Sequence, residues 1–189
     1  MNKISVIQWL KKYLDKPNLK GQDMKPPLHF SLLWSVFERT YFPELITKCS
    51  VNRKLLKVSE TMYIRLPKEN LKEIYDFFKE RYTTENQTNS KYDRLKVSTD
   101  KVSTNKSDIC QITFFDLCQT TLTEENPLKL NMTKTVLLII YKLRCNLVHG
   151  EKVNTMFDNE ELFIIINDFL MHLIELKEKS INNQQIKSK

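Results

Sequence analysis

MTKTVLLIIYKLRCNLVHG (Met132–Gly150) contains an unbroken apolar run, Val136–Tyr141, and its reading decides the fold. The stretch 132–149 reads as the longest and most apolar helix of the chain, with Asn131 or Thr133 as its N-cap. Gly150 stands where a helix commonly closes on a left-handed residue. The same segment ends in three polar residues, Arg144, Asn146 and His149. A buried arginine or histidine has to be paired, so their presence at the end of an apolar helix needs a reason.

Working outward, the same helical spacing recurs. Leu28 to Phe42 (LHFSLLWSVFERTYF) places Phe30, Leu33, Trp34, Phe37 and Tyr41 on one stripe, and Pro43 follows it. Pro67-Lys68-Glu69-Asn70 opens a helix to about Tyr82, with Leu71, Ile74, Tyr75 and Phe78 as its buried side. Residues 107–121 and 157–179 read as further helices, and 3–15 as a short amphipathic one stopped by Pro17. Residues 18–27 read as a loop marked by Gly21, Pro26 and Pro27. The aromatic residues Trp34, Phe37, Tyr41, Phe115 and Phe169 are expected in the core rather than as base-stacking platforms.

Three stretches break the pattern. Residues 44–67 mix apolar and basic residues and read as a short helix with irregular chain. Residues 83–106 (TTENQTNSKYDRLKVSTDKVSTNK) are polar and read as an exposed mobile insertion. Lys91, Arg94, Lys96 and Lys101 could make it an RNA contact, but a flexible linker is the preferred reading. The end, 181–189, reads as a disordered tail. The expected architecture is therefore all-α: one helical bundle of four or more helices over residues 1–180, with an exposed polar insertion.

Composition excludes several classes. There are only two glycines, Gly21 and Gly150, in 189 residues, which argues against phosphate-cradling glycine loops and hairpin-rich sheets. The four cysteines show no C-x-x-C spacing and the three histidines are scattered, so neither a metal site nor any cofactor is expected. No secretory leader or spanning segment is evident, which leads to the expectation of a cytoplasmic protein without membrane contact. The formal charge of +7 would attract a polyanion, although lysine-rich solvated faces give the same number.

The chemistry suggested by Arg144, Asn146 and His149 is metal-free RNA cleavage. A histidine near neutral pKa can take a proton from a ribose 2′-OH or return one to the leaving oxygen. An arginine can brace the phosphorane-like transition state through two parallel hydrogen bonds. Arg144 and His149 lie about 140° apart on a regular helix, so one copy gives only a loose cluster. Two copies about a two-fold axis would pool both pairs. By spacing alone this arrangement is common. Arg144 could equally pair with a core carboxylate such as Glu38, and His149 could cap its helix end.

RCNLVHGEK (144–152) after TKTVLLIIYKL resembles the R-x(4–6)-H motif of the HEPN superfamily. Arg144, Asn146, His149 and Gly150 fall at the matching positions. HFSLLWSVFERTYF (29–42) is similar to the aromatic early helix of that family. The resemblance covers about 30 residues and implies a helical bundle, homodimerisation and metal-independent endoribonuclease activity. It implies Arg144 and His149 as the catalytic pair, Asn146 as a polar helper and Glu38 as a support that orients Arg144. Lys142 and Lys152 flank the motif as candidate RNA contacts. Roles in toxin–antitoxin pairs and antiviral defence follow from the same resemblance, with RNA as substrate and a nucleotidyltransferase-type antitoxin as a possible protein partner. The second reading is an inactive HEPN module that dimerises and binds a protein or RNA. A third, a non-catalytic nucleic-acid binder, ranks last because no recognition helix stands out.

Overall fold

A computed structural model describes residues 5–13, 26–42, 51–97, 108–148 and 160–187. The fold is all-α, with a single two-stranded hairpin among the described residues. The helices are α1 (Val6–Tyr13), α2 (Pro26–Tyr41), α3 (Val51–Met62), α4 (Lys68–Tyr82), α5 (Ser90–Val97), α6 (Asp108–Thr123), α7 (Lys129–Val148) and α8 (Glu160–Lys187). Strands β1 (Thr83–Thr84) and β2 (Gln87–Thr88) lie between α4 and α5. Among the described residues no helix is long and apolar enough to cross a membrane. Where the sequence predicts one domain over 1–180, the chain groups into two compact units. One joins Met1–Pro43 to Val153–Lys189, and the other is Glu44–Lys152.

The first unit is built on α2 packed against α8. Phe30, Leu33, Trp34 and Phe37 of α2 are buried, as are Phe163, Ile166, Leu170 and Leu173 of α8. Their rings touch in sequence: Phe30 lies 5.5 Å from Phe163, and Trp34 5.2 Å from Phe37. The Tyr41 hydroxyl donates to the Leu173 carbonyl at 2.7 Å, and the Trp9 indole N–H of α1 donates to Glu175 Oε1 at 2.7 Å. Phe30 meeting Phe163 while Tyr41 meets Leu173 means that α2 and α8 run in the same direction. The helix starts at Pro26, where the sequence predicts loop, because a proline in the first turn forfeits no helical hydrogen bond. α8 continues through 181–187, where the sequence predicts a disordered tail. Nothing in Glu160–Lys187 stops it: the stretch has no proline or glycine, and each added residue gains one backbone bond.

This unit also holds a pH-sensitive pair. His29 Nε2 on α2 and His172 Nε2 on α8 are buried with no hydrogen-bond partner among the described residues. Burial lowers the pKa of both below the ordinary 6.5; at His172 Lys179 lowers it further and Glu175 opposes. The folded state thus favours neutral imidazole. Its stabilising effect is complete above pH 6.5 and is lost as pH falls from there toward the lowered folded values, because the unfolded chain binds the proton first. The melting temperature should fall between pH 7.5 and pH 5.5, and the His29→Gln/His172→Gln variant should lose less over that interval. Equal slopes for the two proteins would refute this assignment.

The second unit is centred on α7. Val136, Leu137, Leu138, Ile139 and Ile140 are all buried. Five consecutive residues sweep about 400°, so the helix is covered on its whole circumference. α3, α4 and α6 pack on it. The residues predicted as its N-cap lie inside it: the helix begins at Lys129, and Thr133 Oγ1 donates to the Lys129 carbonyl at 2.8 Å. Within 44–67, read from the sequence as a short helix with irregular chain, residues 51–62 form a regular helix that buries Leu55, Val58 and Met62.

The predicted mobile insertion is largely ordered structure over 83–97. Thr83 pairs with Thr88 and Thr84 with Gln87 around a two-residue turn. Glu85 (φ 50) and Asn86 (φ 60) both take left-handed backbone, the requirement of a tight hairpin turn with the native twist. Asn89 Oδ1 then accepts from the Lys91 and Tyr92 amides and caps α5. Tyr92, 1% exposed, donates from its hydroxyl to the Phe115 carbonyl at 2.7 Å. Tyr92→Phe should therefore cost about 1 kcal/mol in urea unfolding, since it deletes one buried hydrogen bond while the Phe115 carbonyl keeps its helical amide donor. No change in midpoint would show that water replaces the hydroxyl. Residues 98–106 of the predicted insertion lie outside the described residues.

Candidate functional site

The candidate site begins in the last turns of α7. Its backbone is described to Val148, so Arg144 and Asn146 are placed, whereas His149, Gly150 and Lys152 lie outside the described residues. Helical geometry sorts the polar residues. Lys142 and Asn146 are four apart and share one face, while Arg144 is rotated about 200° from each. Exposure follows that division. Lys142 is 4% exposed and Asn146 5% exposed, whereas Arg144 is half-buried.

Lys142 is a core residue. Its ammonium lies 5.9 Å from the centre of the Phe115 ring, on the neighbouring helix α6. An ammonium over an aromatic face recovers part of its lost hydration. That placement is a poor one for the RNA contact predicted from the sequence, since a phosphate needs an exposed cation. Asn146 is turned inward as well, so the structure does not bring it beside Arg144. Among the described residues Arg144 forms no ion pair. Glu38, predicted to orient Arg144, is half-buried on α2 in the other unit.

Of the two cysteines whose side chains are described, Cys118 is a poor nucleophile. Burial pushes the Cys118 thiol up to about 12, and a hydrogen bond with the Thr135 side chain only partly counters it. A thiol held so high stays protonated at neutral pH. Cys145, beside Arg144, is half-buried and free. Among the described residues no group of His, Cys, Asp and Glu is arranged to hold a metal ion.

What these residues can supply is therefore limited and specific. Arg144 offers a guanidinium near the end of a buried helix, with no carboxylate partner among the described residues. Chemistry with RNA also needs a proton carrier, and five positions further on the sequence places His149. No family model matches the chain, and neither the curated proteins nor the solved structures give a match.

Proposed function

We propose that the protein is a metal-independent endoribonuclease of HEPN type, a toxin or antiviral effector whose site is completed by dimerisation. The observation that carries this reading is the half-buried Arg144 in the last turns of the buried helix α7, without an ion pair among the described residues and five residues before His149 in the sequence. An isolated core arginine would be expected to have a carboxylate partner.

The reaction balances without a metal. His149 in its neutral form takes the proton from a ribose 2′-OH, and the oxygen attacks the adjacent phosphorus. The bond from phosphorus to the 5′ oxygen breaks, and that oxygen receives a proton from the imidazolium of the second copy. Products are a 2′,3′-cyclic phosphate and a 5′-hydroxyl. Arg144 from each copy braces the charge that develops on the phosphoryl oxygens. DNA, lacking the 2′-OH, is inert.

The test is purified protein with structured and unstructured RNA in excess EDTA, with the product ends analysed. Cleavage with cyclic phosphate ends supports the reading. Intact RNA of every type tried removes it. The inward turn of Lys142 and Asn146 favours a second reading, a HEPN module that only dimerises and binds a partner. That reading gains if the chain associates tightly, cuts nothing and leaves host growth unchanged when overproduced.

A further inference from the structure

The second unit carries its excess charge in one place. Residues 51–68 hold five cations against one carboxylate: Arg53, Lys54, Lys57, Arg65 and Lys68 against Glu60. The other described segments of the unit are balanced, with six cations against six carboxylates in 69–97 and four against four in 108–148. Location matters more than the count. Leu55, Val58 and Met62 turn inward from α3, which leaves Lys57 and Thr61 exposed, one helical turn apart. The chain after α3 extends that stripe. Arg65 and Leu66 both donate their amides to the Met62 carbonyl at 2.9 Å, and Leu66 is buried, so the turn is pinned with Arg65 and Lys68 outward. The one carboxylate, Glu60, is met by Lys134 of α7 at 3.5 Å, which offsets its charge.

We infer that the outer face of α3 and its turn into α4, through Lys57, Arg65 and Lys68, is the surface that binds the RNA sugar-phosphate backbone. The choice of RNA rests on the ribonuclease reading above; the surface itself rests on charge and exposure. Two other occupants fit less well. An anionic membrane would take up the apolar side of an amphipathic helix, and that side of α3 is already buried in the unit. A protein interface is organised around an apolar centre, whereas this face presents cations, a threonine and one aliphatic side chain, Ile64, 70% exposed. Exposed cations spread over α3, the turn and the start of α4 suit a repeating anion, and their binding is read in salt dependence.

The experiment uses the full chain and a fluorescent 2′-O-methyl RNA of 15 nucleotides, which cannot be cut because its nucleophile is blocked. Anisotropy titrations between 50 and 200 mM KCl give the dissociation constant and its salt slope. The Lys57→Glu/Arg65→Glu/Lys68→Glu variant should bind at least about tenfold more weakly, with a log–log slope shallower by about 2, the value for three lost phosphate contacts. The corresponding glutamine variant should fall between it and the unmodified protein. Lys72→Glu/Lys91→Glu, charge reversals on α4 and α5, should leave the affinity within about twofold. Circular dichroism melts verify that each variant folds; if the glutamate variant does not, the glutamine variant decides. Wild-type affinity and slope in the folded triple variant overturn the inference, as does failure of the unmodified protein to bind. Equal affinity for polyglutamate or phosphatidylserine vesicles, lost in the same variant, overturns RNA as the occupant. Cleavage of unmodified RNA in EDTA is scored separately. A protein that cuts while its triple variant binds normally sinks this surface alone. One that binds through these cations and never cuts sinks the nuclease alone.

Discussion

If the proposed ribonuclease chemistry holds, His149→Ala should lower the single-turnover rate of RNA cleavage by at least about a hundredfold, the lower bound for loss of a general acid or base. A circular dichroism melt of the variant verifies that it folds. Free imidazole should restore part of the rate in this variant, since it supplies the missing proton carrier in solution. Arg144→Ala should lose a similar factor, about a hundredfold to a thousandfold, by removing a donor aimed at developing charge. Arg144→Lys should recover little of it, because an ammonium keeps the charge but cannot make two parallel hydrogen bonds to one phosphate. Quenched-flow or gel assays of single-turnover cleavage give the rates. Undiminished cleavage in His149→Ala removes the histidine from the chemistry.

Phe37→Ala should destabilise the first unit by about 3–5 kcal/mol, the range for removing a large buried aromatic side chain. Phe37 is 0% exposed and sits in the middle of the aromatic row. Its ring lies 5.2 Å from Trp34, 4.8 Å from Tyr41 and 5.8 Å from Phe42. Truncation leaves a cavity that rigid neighbours cannot fill and forfeits three ring contacts together. Phe37→Leu keeps most of the volume and should cost less than half as much. Both tryptophans of the chain, Trp9 and Trp34, belong to this unit, so their fluorescence reports its unfolding directly. A urea midpoint that moves by less than about 1 kcal/mol equivalent would mean that the aromatic row is loosely packed.

The long helices were legible because each concentrates large apolar side chains at helical spacing over many turns. α2 and α7 are the clearest cases, and their predicted extents differ from the observed ones by a few residues at the ends. α3 was less so. Its buried apolar residues are Leu55, Val58 and Met62, and the polar residues between them, Lys57, Ser59, Glu60 and Thr61, obscure the period. The hairpin was hidden for another reason: its two left-handed residues are Glu85 and Asn86, with no glycine to announce the turn. α5 offers only Tyr92 and Leu95 as buried apolar residues, too few to mark a helix by pattern. The division into two units comes from contacts between α2 and α8, far apart in the chain, and no local pattern encodes it.

The candidate site was legible in identity and only partly in arrangement. Arg144 stands out as a charge at the end of an apolar helix. The direction of Lys142 and Asn146 does not, because neighbours of α7 cover it on all sides and no polar face exists to orient it. The basic stripe on α3 was overlooked for a related reason. Its signal is the local excess of charge in 51–68, which a whole-chain total of +7 spreads out of sight.

Mixing two inactive proteins examines the shared site most directly. Arg144→Ala and His149→Ala subunits are combined, allowed to exchange, and the hybrid is isolated by orthogonal affinity tags before assay with RNA in EDTA. A hybrid contributes one guanidinium and one imidazole to a common cleft, so it regains one proton carrier and one brace but not the second of either, and cleavage should rise measurably above both parents while staying well below the unmodified rate. A hybrid as silent as either parent, or a chain that never pairs with itself, contradicts the account.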